Sequence, residues 1–432
     1  MDNKIICSVE DWDSILNYYR PNGSSKTWYI KETKNLSIPY MWSNWNLLDE
    51  NGNFFQNGHI EIQTTPNHSN FIEYIPKNKL GDSPHIYIIN VYCNDFFNRN
   101  REIGFDCVSS RFMDDIRNGK SKILLMYLYE GYSNTNHFND FEIIEEWRIK
   151  SNLPENSIYF LNGNLLSEEI IKEKNLKYKA VGIQYFEPWN KYRGKMVEFK
   201  PGAEKYLFLS YNRQCRHHRI RLMIDLLEKD LVKKGLISLD KPRVIPYECS
   251  EEIKQFLMEQ TPLTIDSLPE LKYNLAVNIT FEDYEKTFIS VITETLVDDG
   301  TLFFSEKIWK PIMVGHPFMV YGNQYSLRHL KKLGFKTFDK WIDENYDNEP
   351  NRDIRCKMIV EEVEKFNQKS VDELIKIRQE MHEICEHNFR YYNTYYNSKY
   401  DKSDQSLQIN NVLIEIWNEI NGGETKFVRN II

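Results

Sequence analysis

The chain is punctuated by short apolar and aromatic runs whose length and β-branched content predict buried strands. In the first half these runs are HIYIINVY (85–92), SKILLMYLYE (121–130), SIYFLNG (157–163) and KAVGIQYF (179–186). Between them lie stretches with helical spacing, such as SEEIIKEKN (167–175), which opens on Ser167 as a candidate cap. Strand and helix alternate, so this half reads as an α/β layer, although residues 1–80 are irregular.

The polar stretch NKYRGKMVEFKPGAEK (190–205), with Gly194, Pro201 and Gly202, reads as a linker. Beyond it KYLFLSYN (205–212) predicts a buried strand, and HHRIRLMIDLLEKDLVKKG (217–235) predicts a helix closing on Gly235. RVIPYE (243–248) predicts a second strand, and SEEIKQFLME (250–259) a capped helix. FISVITET (288–295), SEKIWKPIMVG (305–315), PFMVYG (317–322) and SLRHLKKLG (326–334) continue the alternation. Units of this length imply a parallel sheet, and such sheets bind ligands beyond the carboxyl ends of their strands. From 370 to 389 a long helix is expected, with Leu374, Ile377, Met381, Ile384 and Cys385 as a packing face. VLIEIWNEI (412–420) predicts a final helix. The expected organisation is a domain over 1–195, a second over 200–400, and a tail over 401–432 that docks back.

Composition narrows the picture. A chain of 432 residues is too long for one ordinary core, so two domains of about 200 residues each are expected. With 41% hydrophobic and 27% charged residues it is globular in type, and it shows no internal repeat. The 14% aromatic content reads chiefly as packing, although such rings also stack on sugars and bases. The net charge of −8 (55 minus 63) disfavours wrapping a polyanion but leaves room for a local basic pocket. Seven cysteines, odd in number, dispersed and without a CxxC pair, fit free thiols in a reducing compartment and no structural zinc. The N-terminus has no basic region followed by an apolar run, and no stretch of about 18 apolar residues occurs, so a cytoplasmic chain without a membrane span is expected.

Two segments carry candidate chemistry, both at predicted strand-to-helix junctions of the second half. In LSYNRQCRHHR (209–219) a hydrophobic strand runs into Arg213, Arg216, His217, His218 and Arg219. Guanidinium donors beside a helix N-terminus suit a diphosphate; the plainer alternative is a solvated basic helix start. In TLFFSEKIWKPIMVGHPFMVYGN (301–323) Ser305 can cap a helix and set Glu306 and Lys307 in its first turn, with Lys310 one turn later. Either these serve a ligand's ribose and diphosphate, or they are ordinary helix-start charges. Asp11 and Asp13 spell a DxD string, but in a helix-start context rather than after a nucleotide-binding strand. Asp298 and Asp299 before Gly300 read as a turn, and His316 as a stabiliser of its own turn. His217 and His218 are adjacent and on a helix point apart. No GxGxxG, GxxxxGK[ST], HExxH or GxSxG string occurs.

SEKIWKP followed by GHPFMVYG (305–322) resembles the donor-site signature of GT-B glycosyltransferases related to the α1,3-fucosyltransferases, with Ser305 where Thr is commoner. GFKTFDKWIDENYD (334–347) is similar to the continuation seen in a large bacterial and phage family, and LSYNRQCRHHR resembles the stretch that precedes it. The resemblance covers nearly all of the second half. It implies an α/β fold of two Rossmann-like domains facing a cleft, a parallel sheet in the C-terminal one, and inverting transfer without a metal or further cofactor. The co-substrate would be a nucleotide-diphosphate-sugar and the acceptor a hydroxyl group. Lys307 is implied at the donor diphosphate, Glu306 at the ribose, and Arg213 or Arg216 at the phosphates, with Lys310 in the same set. Glu294, at another predicted strand end, either supports the nucleotide, orients Lys307, or is a surface carboxylate. For the catalytic base the expectation is Glu130, at the end of LLMYLYEGY, with Glu187 and Asp95 as rivals. A glycan is the expected acceptor. A hydroxymethylated base in phage DNA is the alternative raised by the AT-rich-type composition, and a catalytically silent carbohydrate-binding or scaffold protein is another.

Overall fold

The computed structural model describes residues 5–8, 47–48, 54–55, 72–74, 80–90, 110–127, 140–183, 195–198, 200, 202, 204–212, 214–265, 279–298, 300–396 and 403–422. The chain divides into two compact units, Met1–Ile183 with Gln405–Ile432, and Gln184–Asp404.

In the first unit β1 (Ile5–Ser8), β4 (Ile72–Tyr74), β5 (His85–Asn90), β6 (Ser121–Tyr127), β7 (Ile158–Asn162) and β8 (Lys179–Gly182) form one parallel sheet in the order β4-β1-β5-β6-β7-β8. A small antiparallel pair joins β2 (Leu47–Leu48) to β3 (Phe54–Phe55). Every residue of β7 is buried, as a parallel strand covered on both faces requires. Alternate residues sort onto the two faces. Tyr87, Ile89, Ile123, Leu125, Ile158 and Phe160 share a core with residues of α1 (Ser110–Arg117), α2 (Asp140–Lys150) and α3 (Ser167–Glu173). The other set, including Leu124, Tyr159 and Leu161, is also buried. On that face lies α11 (Ser403–Ile420): Glu419 pairs with Lys122 of β6 and Lys179 of β8, and Glu415 accepts from Tyr159 of β7 at 3.1 Å. Ser167 does not cap α3. Leu166 holds that position, and the Ser167 hydroxyl is buried, donating to the Asn164 carbonyl at 2.6 Å.

The second unit is built on β9 (Tyr206–Asn212), β10 (Gly235–Leu239), β11 (Thr287–Thr293) and β12 (Phe318–Tyr321), all parallel, in the order β10-β9-β11-β12. Around them run α4 (His217–Glu228), α5 (Glu251–Glu259), α6 (Phe281–Glu285), α7 (Glu306–Val314), α8 (Ser326–Lys332), α9 (Arg352–Asn367) and α10 (Val371–Arg390). The α/β class and the parallel sheet of the C-terminal unit agree with the sequence expectation. The chain places β10 on one side of β9, then crosses to lay β11 on the other. The strand order therefore reverses between β9 and β11, and the crevice beyond their carboxyl ends is where open α/β sheets hold ligands.

Two local readings are corrected. Gly235 does not close α4, which ends at Glu228; it opens β10 with an extended φ of −107°, and an added Cβ there would lie 2.4 Å from the Phe208 ring. RVIPYE (243–248) is not a strand; GLISL pairs with β9 instead. Val244 is 70% exposed, and Pro246 has no N–H to offer a ladder. In α10 the buried face is Arg378, Met381, Cys385 and Asn388, while Leu374, Ile377 and Ile384 are half-buried.

Candidate functional site at the strand-order reversal

The last residues of β9 and β11 are tied side by side. Thr293 donates its hydroxyl to the Asn212 side chain, whose amide in turn donates to Ser210 Oγ at 2.8 Å, and Ser238 of β10 accepts from the Asn212 N–H at 3.1 Å. Asn212 is thus a buried polar bolt across three strands, and the two loops that leave β9 and β11 start from a fixed rim.

From the β9 side the chain turns into α4 at Arg216, whose backbone is extended and whose guanidinium donates Nη1 to the Thr295 carbonyl at 2.7 Å. His218, one residue inside the helix, is buried and sits 3.0 Å through Nε2 from the Glu294 carbonyl. A carbonyl only accepts, so Nε2 carries the hydrogen. Burial, with Arg219 and Arg216 adjacent, holds this imidazole well below its ordinary pKa, and it stays neutral. Arg219 is buried as well. Burial and the neighbouring Arg216 bring it down to about 10, and its Nε has no hydrogen-bond partner. His217 faces solvent, so the two histidines do point apart.

From the β11 side comes Glu294, 0% exposed and therefore not a surface carboxylate. One oxygen, Oε2, accepts from Thr295 N at 3.1 Å, from Ser305 N at 3.2 Å and from the Ser305 hydroxyl. The other, Oε1, has no partner. Burial raises its pKa, against the pull of the Lys307 charge and the Ser305 hydrogen bond.

Ser305 caps α7, its Oγ accepting from Lys307 N at 3.3 Å, and Gly315 closes the helix in the left-handed region at φ 67°. Lys307 Nζ folds back across the cap and contacts Glu306 Oε1 at 2.8 Å, Thr295 Oγ1 at 3.1 Å and Ser305 Oγ at 3.3 Å. Burial works against ionisation of Glu306, but the Lys307 charge and hydrogen bond, with help from Lys310, hold it below the usual carboxylate range. Lys310 itself is buried one turn along.

The structure therefore brings Arg216, Glu294, Glu306, Lys307 and Lys310 to one rim. Arg213, Glu130, Glu187 and Asp95, together with Asp11 and Asp13, lie outside the described residues. Among the described residues no cluster of His, Cys, Asp and Glu is placed to hold a metal ion, and no helix is long and apolar enough to cross a membrane. His316 does more than hold its turn: it bonds Ser290 Oγ at 2.9 Å and the Thr287 carbonyl at 2.9 Å, and burial with Arg378 nearby lowers it to about 3.

Several residues of the rim carry no sequence signal of their own. The loop from 294 to 305 is pinned by Asn323, which accepts from Phe303 N at 3.1 Å and donates to the Asp298 carbonyl at 2.9 Å. Arg352 pairs with the Asp298 carboxylate, and Arg355 donates to the Val297 carbonyl at 2.6 Å. Thr295 completes the set. Only long-range packing identifies them.

No family model and no curated protein matches the chain. Among solved structures, it is similar to a glycosyltransferase from Rickettsia africae ESF-5, with 11% identity over 97% of this chain and 99% of that one and a TM-score of 0.33. It is also similar to the spinosyn rhamnosyltransferase SpnG (9% identity, 76% of this chain, 92% of that one, TM-score 0.25). An α1,3-fucosyltransferase matches at 11% identity over 88% of this chain and 89% of that one, with a TM-score of 0.27.

Proposed function

We propose that this chain is a glycosyltransferase of GT-B type that draws its sugar from a nucleotide-diphosphate-sugar held at the β9–β11 rim. The observation that carries the reading is the convergence of Arg216, Arg219 and Lys307 with Glu306 beyond the carboxyl ends of β9 and β11, where the strand order reverses. Cations gathered there fit an anion, and a carboxylate among them fits a hydroxyl-bearing one.

The chemistry follows from that assignment. An acceptor hydroxyl attacks the anomeric carbon, the bond from that carbon to the distal phosphate oxygen breaks, and the nucleoside diphosphate leaves with the electron pair. Charge grows on the departing phosphate, where the Lys307 ammonium and the Arg216 guanidinium neutralise it. Glu306, held ionised, accepts from a ribose hydroxyl. The acceptor proton passes to a carboxylate of the N-terminal unit; Glu130 is the proposed base, with Glu187 and Asp95 as rivals, and direct displacement inverts the anomeric centre. Glycan hydroxyls are the acceptors proposed.

Calorimetric titration with nucleoside diphosphates tests the reading. Wild type should bind at least one of them, and Lys307→Ala should weaken that binding by roughly ten- to hundredfold, the worth of a charge-assisted contact. No binding by the wild type, or unchanged binding in the variant, refutes the assignment. For the base, Glu130→Ala should abolish turnover while donor binding persists.

A further inference from the structure

An ammonium has three donors, and each of those on Lys307 Nζ has a partner: Glu306 Oε1 at 2.8 Å, Thr295 Oγ1 at 3.1 Å and Ser305 Oγ at 3.3 Å. A phosphate oxygen that comes to Nζ must replace one of them. The three are not equally replaceable. Ser305 is buried, and its hydroxyl is anchored on the fully buried Glu294 carboxylate. Thr295 is buried and gives its N–H to the same carboxylate and its carbonyl to Arg216. Of the three, Glu306 is the one that is not buried, its side chain 20% exposed beside a Lys307 side chain at 21%. Adjacent helical residues do not face one another, so this pair forms only because Nζ turns back over the cap.

We propose that Glu306 masks Lys307, so that the rim selects nucleoside diphosphates over bare phosphates. A ligand must deliver two groups at once: a phosphate oxygen that takes the place of Glu306 on Nζ, and a hydroxyl donor that satisfies the carboxylate so released. Inorganic pyrophosphate supplies the first without the second. It must leave Glu306 without the ammonium it held, facing an anion of like sign. A ribose beside its diphosphate supplies both. Lys310 adds to the pull that lowers the pKa of Glu306, and a carboxylate displaced from Nζ remains an acceptor that a hydroxyl donor can satisfy. The mask thus makes Glu306 a specificity-determining residue and not merely a ribose ligand. This rests on the donor-site reading above, but its central requirement, competition between Glu306 and a phosphate for one ammonium, is measured without any nucleotide.

The test compares inorganic pyrophosphate with adenosine, guanosine, uridine and cytidine diphosphates on the full-length chain by calorimetry. Wild type is expected to bind its preferred nucleoside diphosphate at least about tenfold more tightly than pyrophosphate. Glu306→Ala and Glu306→Gln should move the two ligands in opposite directions: pyrophosphate tightens, by about tenfold for Ala and less for Gln, whose amide still reaches Nζ, while the nucleoside diphosphate weakens. Pyrophosphate affinity that falls or stays level in both variants overturns the proposal, whether or not nucleotides bind. Failure of every nucleoside diphosphate on the wild type, with pyrophosphate still gaining in the variants, sinks the donor reading and leaves the mask standing. Both variants retain the Ser305 cap, and matching thermal melts establish that a change in binding is not a change in folding.

Discussion

At the scale of single residues, the rim is governed by how little water reaches its carboxylates. Glu294 is fully buried, with three donors on one oxygen and none on the other. Burial raises its pKa, so the folded chain keeps a proton that the unfolded chain has already released. The stability this proton contributes is complete below the ordinary value of 4.5 and is lost as pH climbs toward the folded pKa. Glu294→Gln keeps the shape and cannot ionise. The unfolding free energy of wild type minus that of the variant should therefore fall as pH rises from 4.5 toward neutrality, read by urea melts across that range. A flat difference shows the carboxylate to be ionised throughout and the assignment of its proton to be mistaken. Ser305→Ala should cost about 1 kcal/mol of stability through the lost cap and also loosen Lys307, whereas Ser305→Thr should retain both functions. Ser305, Glu306 and Lys307 were legible in the sequence because capping and first-turn position are decided within a few residues. The burial of His218, Arg219 and Glu294, and the contacts they make, were not. The His218 contact joins residues 76 positions apart, and no local pattern encodes which side chains such a closure covers.

At the scale of elements, the strand and helix boundaries follow local rules except where a tertiary neighbour decides. The helix from Ser305 to Gly315 was readable end to end, since a capping serine and a left-handed glycine both announce themselves. Gly235 resembled the same kind of stop, but its φ is extended, so the reason for glycine there is space. A Cβ would meet three atoms of the Phe208 ring at 2.4, 2.6 and 2.8 Å. Gly235→Ala should therefore destabilise by about 1–3 kcal/mol through overpacking, visible as a lower denaturant midpoint. Phe208→Leu in the same chain should relieve part of that loss, because the clash is with the ring and not with the backbone. An additive double variant would show that some other contact sets the residue. RVIPYE misled because Val244 and Pro246 are exposed and Ile245 and Tyr247 only half-buried: β-branched content predicts a strand only where a sheet is present to bury it.

At the scale of the whole molecule, the α/β class could be read from the alternation alone and a docking C-terminal helix was expected, but the sheet face that helix covers could not be read. A parallel sheet needs both faces covered. Helices α1, α2 and α3 pack on the set that contains Ile123, Leu125 and Phe160, and the set with Leu124, Tyr159 and Leu161 is equally buried. The element that reaches this second face comes from the far end of the chain: α11 buries Val412, Leu413, Ile416 and Trp417 and sets Glu415 and Glu419 over Lys122, Tyr159 and Lys179. Two variants separate what the apolar and the charged contacts contribute. A chain ending at residue 402 should lose stability on the order of several kcal/mol and bind a hydrophobic dye, because each large apolar side chain returned to water costs roughly 1.5–3 kcal/mol. The double variant Glu415→Gln with Glu419→Gln should cost only about 1 kcal/mol or less. Its two carboxylates are about a third or more exposed, and the loss should fade at high salt. If the truncated chain melts like the full one, the second face has another cover. If the charge variant costs as much as the truncation, α11 is held by its carboxylates and not by the stripe they flank.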